Sequence, residues 1–157
     1  MKARRGLLCL LIASSLASGC TSMSPSIATP VVGVTTLALL PTDSGGRDLI
    51  VTLSLDNLNE TPMVFGSIDF TIRLGAEGFV DGVGGPVTVP ALGTASVRTR
   101  VSTDNLSSVS RLISYLQGPQ STLPYEAEGR LLLNSRPPRS FRFATSGQAP
   151  LVVSAGR

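Results

Sequence analysis

The strongest constraint on the fold is a two-residue alternation of apolar and polar side chains that returns along most of the chain. In Arg47 to Asp56, residues Leu49, Val51, Leu53 and Leu55 share one face, and Ile50, Thr52, Ser54 and Asp56 share the other. Successive side chains of an extended strand point to opposite sides, so this period sets one row against a core and the other toward water. The pattern recurs in Met63 to Leu74, where Ile68, Phe70, Ile72 and Leu74 oppose Asp69, Thr71 and Arg73. It recurs in Val97, Thr99 and Val101 against Ser96, Arg98 and Arg100, and in Leu123 to Asn134, where Tyr125, Ala127, Gly129, Leu131 and Leu133 oppose Glu126, Glu128 and Arg130. Val31 to Leu40 is apolar and β-branched, which predicts a first strand broken by Pro41, Gly45 and Gly46. Phe141 and Phe143 point inward on a late strand, and Leu151 to Val153 adds a short last one.

Punctuation between these runs is turn chemistry. The short polar side chains of Asn57-Leu58-Asn59-Glu60-Thr61-Pro62 hydrogen-bond local backbone, and Gly66 inside a strand predicts a bulge or a close contact. The glycines around Gly82-Val83-Gly84-Gly85 lack the spacing of a phosphate cradle and are read as turns. One segment changes period: Leu106, Val109, Leu112, Ile113 and Leu116 recur at steps of three and four and predict one amphipathic helix over about residues 104–117. Its polar face is serine-rich, not basic, which favours packing on the sheets over lying on a membrane. Short strands with Gly and Pro turns predict a mainly β domain, an antiparallel β-sandwich with that helix inserted.

The N-terminus carries a different message. Lys2, Arg4 and Arg5 precede the apolar run Leu7 to Leu16, the charged head and hydrophobic middle of a secretory signal. That run falls well short of the roughly 20 residues a spanning helix needs. Leu16-Ala17-Ser18-Gly19-Cys20 resembles the bacterial lipobox, which implies acylation (palmitate among the chains) of Cys20 and cleavage before it; Ala17 stands where lipoboxes favour Leu. An ordinary signal-peptidase cut after Gly19, leaving Cys20 as a free thiol, is the alternative. The chain thus divides into a signal peptide, 1–19, a small and Pro-punctuated tether, 20–30, and a domain over 31–153. Thr21, not Asp, comes directly after Cys20, which implies sorting to the outer membrane with the domain facing the periplasm.

Cleavage leaves 157 − 19 = 138 residues, enough for one domain with its own core. The formal charge of +3 comes from Lys2, Arg4 and Arg5, so the mature chain balances ten Arg against ten acids, and no nucleic-acid partner is expected. The chain has no histidine, and Cys9 leaves with the signal. That excludes Ser-His-Asp and Cys-His catalysis, an intrachain disulfide and the usual zinc sites, so no metal or cofactor is expected. Asp56 with Glu60, or Asp69 with Asp81, are the acid pairs a hydrolytic site would draw on, but outward strand charges are ordinarily solvated and no catalytic residue is expected. Arg98 and Arg100 are expected to pair across strands with rows such as Glu126 and Glu128. Exposed Ile50, Leu132 and Val153 are the positions from which an apolar binding patch would be built.

Several motifs together carry a resemblance. Leu49-Ile50-Val51-Thr52-Leu53-Ser54-Leu55-Asp56 runs into Asn57-Leu58-Asn59; next come Ile68-Asp69-Phe70-Thr71-Ile72-Arg73-Leu74, then Val87-Thr88-Val89-Pro90-Ala91 with Gly93 and Val97, then Tyr125-Glu126-Ala127-Glu128-Gly129-Arg130-Leu131. Their order resembles the type 2 late embryogenesis abundant family, also called the WHy domain, whose signature turn is Asn-Pro-Asn; Leu58 stands in place of its proline. The resemblance, over about 31–153, implies an immunoglobulin/fibronectin-like sandwich with one helix, a structural turn at Asn57 and Asn59, tolerance of drying, cold and other stress, and no catalysis. The expected function is a lipid-anchored envelope protector, or alternatively an envelope module binding a lipid, peptide or partner protein.

Overall fold

Every alternating segment forms a strand with its apolar row inward. The computed structural model describes residues 26–41, 47–75, 79–102, 114 and 122–153. In chain order these give β1 (Val31–Pro41), β2 (Arg47–Asp56), β3 (Met63–Leu74), β4 (Phe79–Gly84), β5 (Val87–Val89), β6 (Thr94–Ser102), β7 (Thr122–Leu133) and β8 (Arg139–Val153). Leu49, Val51, Leu53 and Leu55 on β2, and Ile68 and Ile72 on β3, are wholly buried, with Phe70 and Leu74 nearly so. Each such side chain contributes roughly 2 kcal/mol through the apolar area it removes from water. The bulge expected at Gly66 is present, as a register shift between Phe65 and Ser67 against β7.

The sandwich is not. The strands form a single hydrogen-bonded path, β4-β3-β7-β8-β1-β2-β6, with β5 also pairing β3. Two pure sheets would need a break in that path; β8 bridges it. Its fifteen residues pair antiparallel with β7 up to Pro150, then parallel with β1 through Leu151 to Val153 opposite Leu37 to Leu39. The two ends of the path also meet: a methyl on Gly84 of β4 would lie 3.1 Å from Cγ1 of Val97 and 3.3 Å from Oγ1 of Thr99 on β6. The sheet is therefore curled into a nearly closed barrel. Alternation dictates that each strand bury one face, and two facing sheets or one sheet wrapped on itself meet that demand equally. The helix expected over 104–117 lies outside the described residues except for Ser114, which is helical; the elements among the described residues are all strands, so the domain shows no sandwich with a helix inserted.

Closure is incomplete where β1 and β8 diverge. Before Leu37, β1 has left β8, and the backbone N–H of Val34 donates instead to the Tyr125 hydroxyl, 3.2 Å away. The ring reaches that place because Gly147 faces it; a Cβ there would sit 3.2 Å from the hydroxyl oxygen. Elsewhere the core is mostly hydrocarbon, including an edge-to-face pair of Phe65 and Phe141 with ring centres 6.5 Å apart, and Asn57 and Thr99 are the polar side chains buried among the described residues.

The register fixes which loops share an end. Val31 and Thr94 both stand opposite Asp56, Met63 opposite Val89, and Arg139 opposite Leu133. Hence the incoming stretch 26–30 and the connections 57–62, 90–93 and 134–138 lie together at one end of the barrel.

Candidate functional site

The feature that the fold builds most completely lies at that end. Asn57 is 2% exposed, and its carboxamide uses its full hydrogen-bonding capacity. Nδ2 donates to the Thr61 carbonyl at 2.8 Å and the Pro90 carbonyl at 2.9 Å. Oδ1 accepts from the backbone N–H and the Nδ2 of Asn59, both at 2.9 Å. The Asn57 N–H donates to the Gly93 carbonyl at 2.9 Å, and the Leu92 N–H to the Asn59 carbonyl at 2.9 Å. One buried amide thus ties the connection 57–62 to the connection 90–93. Asn59 extends the tie outward: its Oδ1 accepts from the Ala28 N–H at 2.8 Å and its Nδ2 donates to the Ala28 carbonyl at 3.0 Å. The incoming chain is held by a two-point clamp.

This arrangement needs no proline between the two asparagines. The side-chain to backbone bonds that fix the turn come from Asn57 and Asn59 themselves, and Leu58 is left facing outward, 58% exposed. Spacing gave the local turn; the bonds to Pro90 and Ala28, 33 and 31 residues away, carried no signal in the sequence. Cys20, the expected lipidation site, lies outside the described residues.

The acid pairs take different places. Asp56 accepts from the Thr94 hydroxyl at 2.6 Å across β2 and β6, while Glu60 is exposed in the loop. Asp69 and Asp81 do come onto one outer face, on β3 and β4, with the Thr71 hydroxyl donating to Asp81 at 2.6 Å. Asp69 stands directly across from Arg130, which stands across from Arg142. With Glu128 these charges line a shallow open hollow of about 950 Å³ on the outer surface. Asp69 and Arg130 are opposite charges on adjacent strands, while Arg130 and Arg142 are like charges facing each other in the open, a row of solvated side chains, and no group of three metal-ligating side chains occurs among the described residues.

Charge pairing across strands occurs, with partners other than those expected. Arg73 bridges Glu126 between β3 and β7, and Arg100 reaches Asp48 at 3.3 Å between β6 and β2. β6 is not a neighbour of β7, so the arginines of one never face the glutamates of the other. Among the expected apolar positions, Leu132 and Val153 are exposed and Ile50 is half-buried. Leu132 lies near the clamped end and Val153, opposite Leu39, toward the other, so they form no single patch.

Comparison with known proteins agrees with the mainly β strand pattern. The LEA_2 family model, late embryogenesis abundant protein, matches residues 52–148, and the chain belongs to that family. A solution structure described as a late embryogenesis abundant (LEA) protein is similar in fold, with a TM-score of 0.51 at 16% identity over 80% of this chain and 73% of that one. A second solution structure, of a protein from Arabidopsis thaliana, matches with a TM-score of 0.49 at 16% identity over 81% of this chain and 85% of that one. No curated protein matches the sequence. The family points to a stress-related role, and its members are generally non-enzymatic.

Proposed function

We propose that this protein is a non-catalytic, WHy-type lipoprotein of the outer membrane, anchored through acylated Cys20, whose barrel protects envelope components during drying or cold. One observation supports the reading above others: a member of the late embryogenesis abundant family begins with a charged head, a short apolar run and a lipobox-like Cys20. Protection is then physical. A polar-faced body concentrated at a bilayer by its anchor covers apolar surface that other proteins expose when water is withdrawn. The fold suits the task, since its apolar rows are turned inward and its charges stand on the outside, Arg73 with Glu126 and Arg100 with Asp48 among them in ion pairs.

The test is a labile enzyme carried through freezing and drying with the mature chain or with an equal mass of albumin. More activity should survive beside the chain; equal survival would refute protection. Mass spectrometry of the mature N-terminus checks the anchor, where two or three acyl chains on Cys20 are expected and a bare thiol would remove them from the account. The second reading, a module for a lipid, peptide or partner protein, draws on the hollow lined by Asp69, Asp81, Glu128, Arg130 and Arg142.

A further inference from the structure

The clamped end of the barrel combines three properties. First, it is apolar at its tips: Leu58 and Leu92 are 58% and 69% exposed, and Ile27 and Val31 beside them are also open to solvent. The segments 26–31, 57–62 and 90–93 together contain a single charge, Glu60. These side chains are not scattered, because the clamp draws their backbones together: Asn59 holds Ala28, the Asn59 carbonyl holds Leu92, and Val31 stands opposite Asp56. Second, the connection 134–138 at the same end presents Arg136, with Arg139 just after it, both exposed.

The third property is backbone strain at Leu92. Its φ is 49°, in the left-handed region that a branched, bulky side chain adopts only at a cost and that Gly adopts freely. The neighbouring Gly93 shows that the sequence can supply glycine here. Folding alone gives no reason to keep a leucine in that conformation and then leave it in water. The bonds from the Leu92 N–H to the Asn59 carbonyl and from the Gly93 N–H to the Pro90 carbonyl hold the turn but would hold a glycine as well, and strained positions of this kind cluster where a protein meets a ligand or partner.

Geometry says what that contact is. Ala28 lies eight residue steps from Cys20, a reach of at most about 28 Å even when fully stretched. A ten-residue strand such as β2 is itself about 33 Å long. A body on that leash keeps the clamped end nearest its anchor. We propose that this end is a bilayer-contacting surface, with Leu58 and Leu92 seated at the headgroup and acyl boundary and Arg136 and Arg139 against the lipid phosphates. Apolar tips flanked by arginine are the chemistry of an interfacial contact, the hydrocarbon sinking a few ångströms and the guanidinium groups staying at headgroup level. Two acids share this end with the two arginines, Glu60 in the loop and Asp56 at the close of β2, the latter accepting from the Thr94 hydroxyl. The proposal rests on the anchored orientation of the proposed function.

The chain contains no tryptophan, so a single one reports its own surroundings. The mature chain, whose one thiol is Cys20, is coupled through it to maleimide-headgroup lipid in phosphatidylethanolamine and phosphatidylglycerol vesicles. This supplies the leash whether or not the cell acylates it, so a missing natural anchor, read separately by mass spectrometry, cannot masquerade as a missing contact. The L92W and L58W variants should shift emission to shorter wavelength and lose intensity when brominated lipids are included. V83W, equally exposed but on the outer face of β4, should do neither. Quenching absent from L92W and L58W, or equal in V83W, would overturn the proposal, as would a shift without bromine quenching, which reports burial against protein. Removing the arginines, R136Q with R139Q, should weaken the quenching at L92W; unchanged quenching would exclude their part. Finally, Leu92→Gly should raise the melting temperature while lowering vesicle retention of the uncoupled chain, opposite signs that a purely structural residue does not give.

Discussion

At the scale of single residues, stability is concentrated where a side chain substitutes for backbone pairing or where its absence makes room. Asn57 belongs to the first kind. Replacing it by Ala leaves the Thr61 and Pro90 carbonyls and the Asn59 N–H without their partners in a partly buried place. A loss of about 3 kcal/mol is expected from several unmade bonds, read as a lower midpoint in urea with an unchanged slope. A loss below about 1 kcal/mol would mean that water takes over the node. Gly129 belongs to the second: a Cβ there would come within 2.3 Å of the Asp69 carbonyl oxygen and 2.8 Å of the Phe143 ring. Backbone of a paired strand cannot step aside cheaply, so Gly129→Ala should destabilise by about 3 kcal/mol. Gly66→Ala, whose nearest contact would be at 4.0 Å, should cost far less in the same measurement, and equal costs would contradict the close approach.

At the scale of elements, what the sequence made legible was the face of each strand, and what it hid was the neighbour. Leu49 to Leu55 on β2 and Ile68 to Leu74 on β3 are buried as their period of two requires, because side-chain direction is local geometry. Pairing order is set by long-range contacts, and no alternation distinguishes a β6 beside β2 from a β6 beside β7. For that reason Arg100 found Asp48 and not a glutamate of β7. The turn at Asn57 and Asn59 was legible as a turn because short polar side chains act over two to four residues, while its grip on Ala28 and Pro90 was not. The junction of β1 and β8 was hidden in the same way, and it carries a prediction. Tyr125→Phe keeps the ring against Gly147 and removes the acceptor of the Val34 N–H. A buried donor left unmet costs about 1 to 3 kcal/mol. Hydrogen exchange should quicken at Val34 beyond what the loss of global stability explains; exchange there that tracks only the global change would assign the effect to packing alone.

At the scale of the whole molecule, the barrel is held by hydrocarbon and backbone pairing, with its ion pairs on the outside. Arg73 and Glu126 are 40% and 62% exposed at their side chains, and an exposed pair of this kind is worth at most about 1 kcal/mol. With no histidine, the chain lacks the side chain whose ordinary titration falls between pH 5 and 8. Stability depends on pH only where folded and unfolded states bind different numbers of protons. Across that window no histidine can create such a difference, so the slope should be close to zero. The melting temperature should accordingly move by less than about 2 °C between pH 5.5 and 8, a change of well under 1 kcal/mol for a domain of this size. A chelator should leave the curve in place as well, since the described strands are joined by pairing and packing without a metal-ligating trio. A sigmoidal fall within the window would require a carboxyl or thiol whose protonation the fold changes, and a drop on chelation would require a cation bound by the chain. Either result would replace a barrel sustained by its packed interior with one sustained by a charge buried within it.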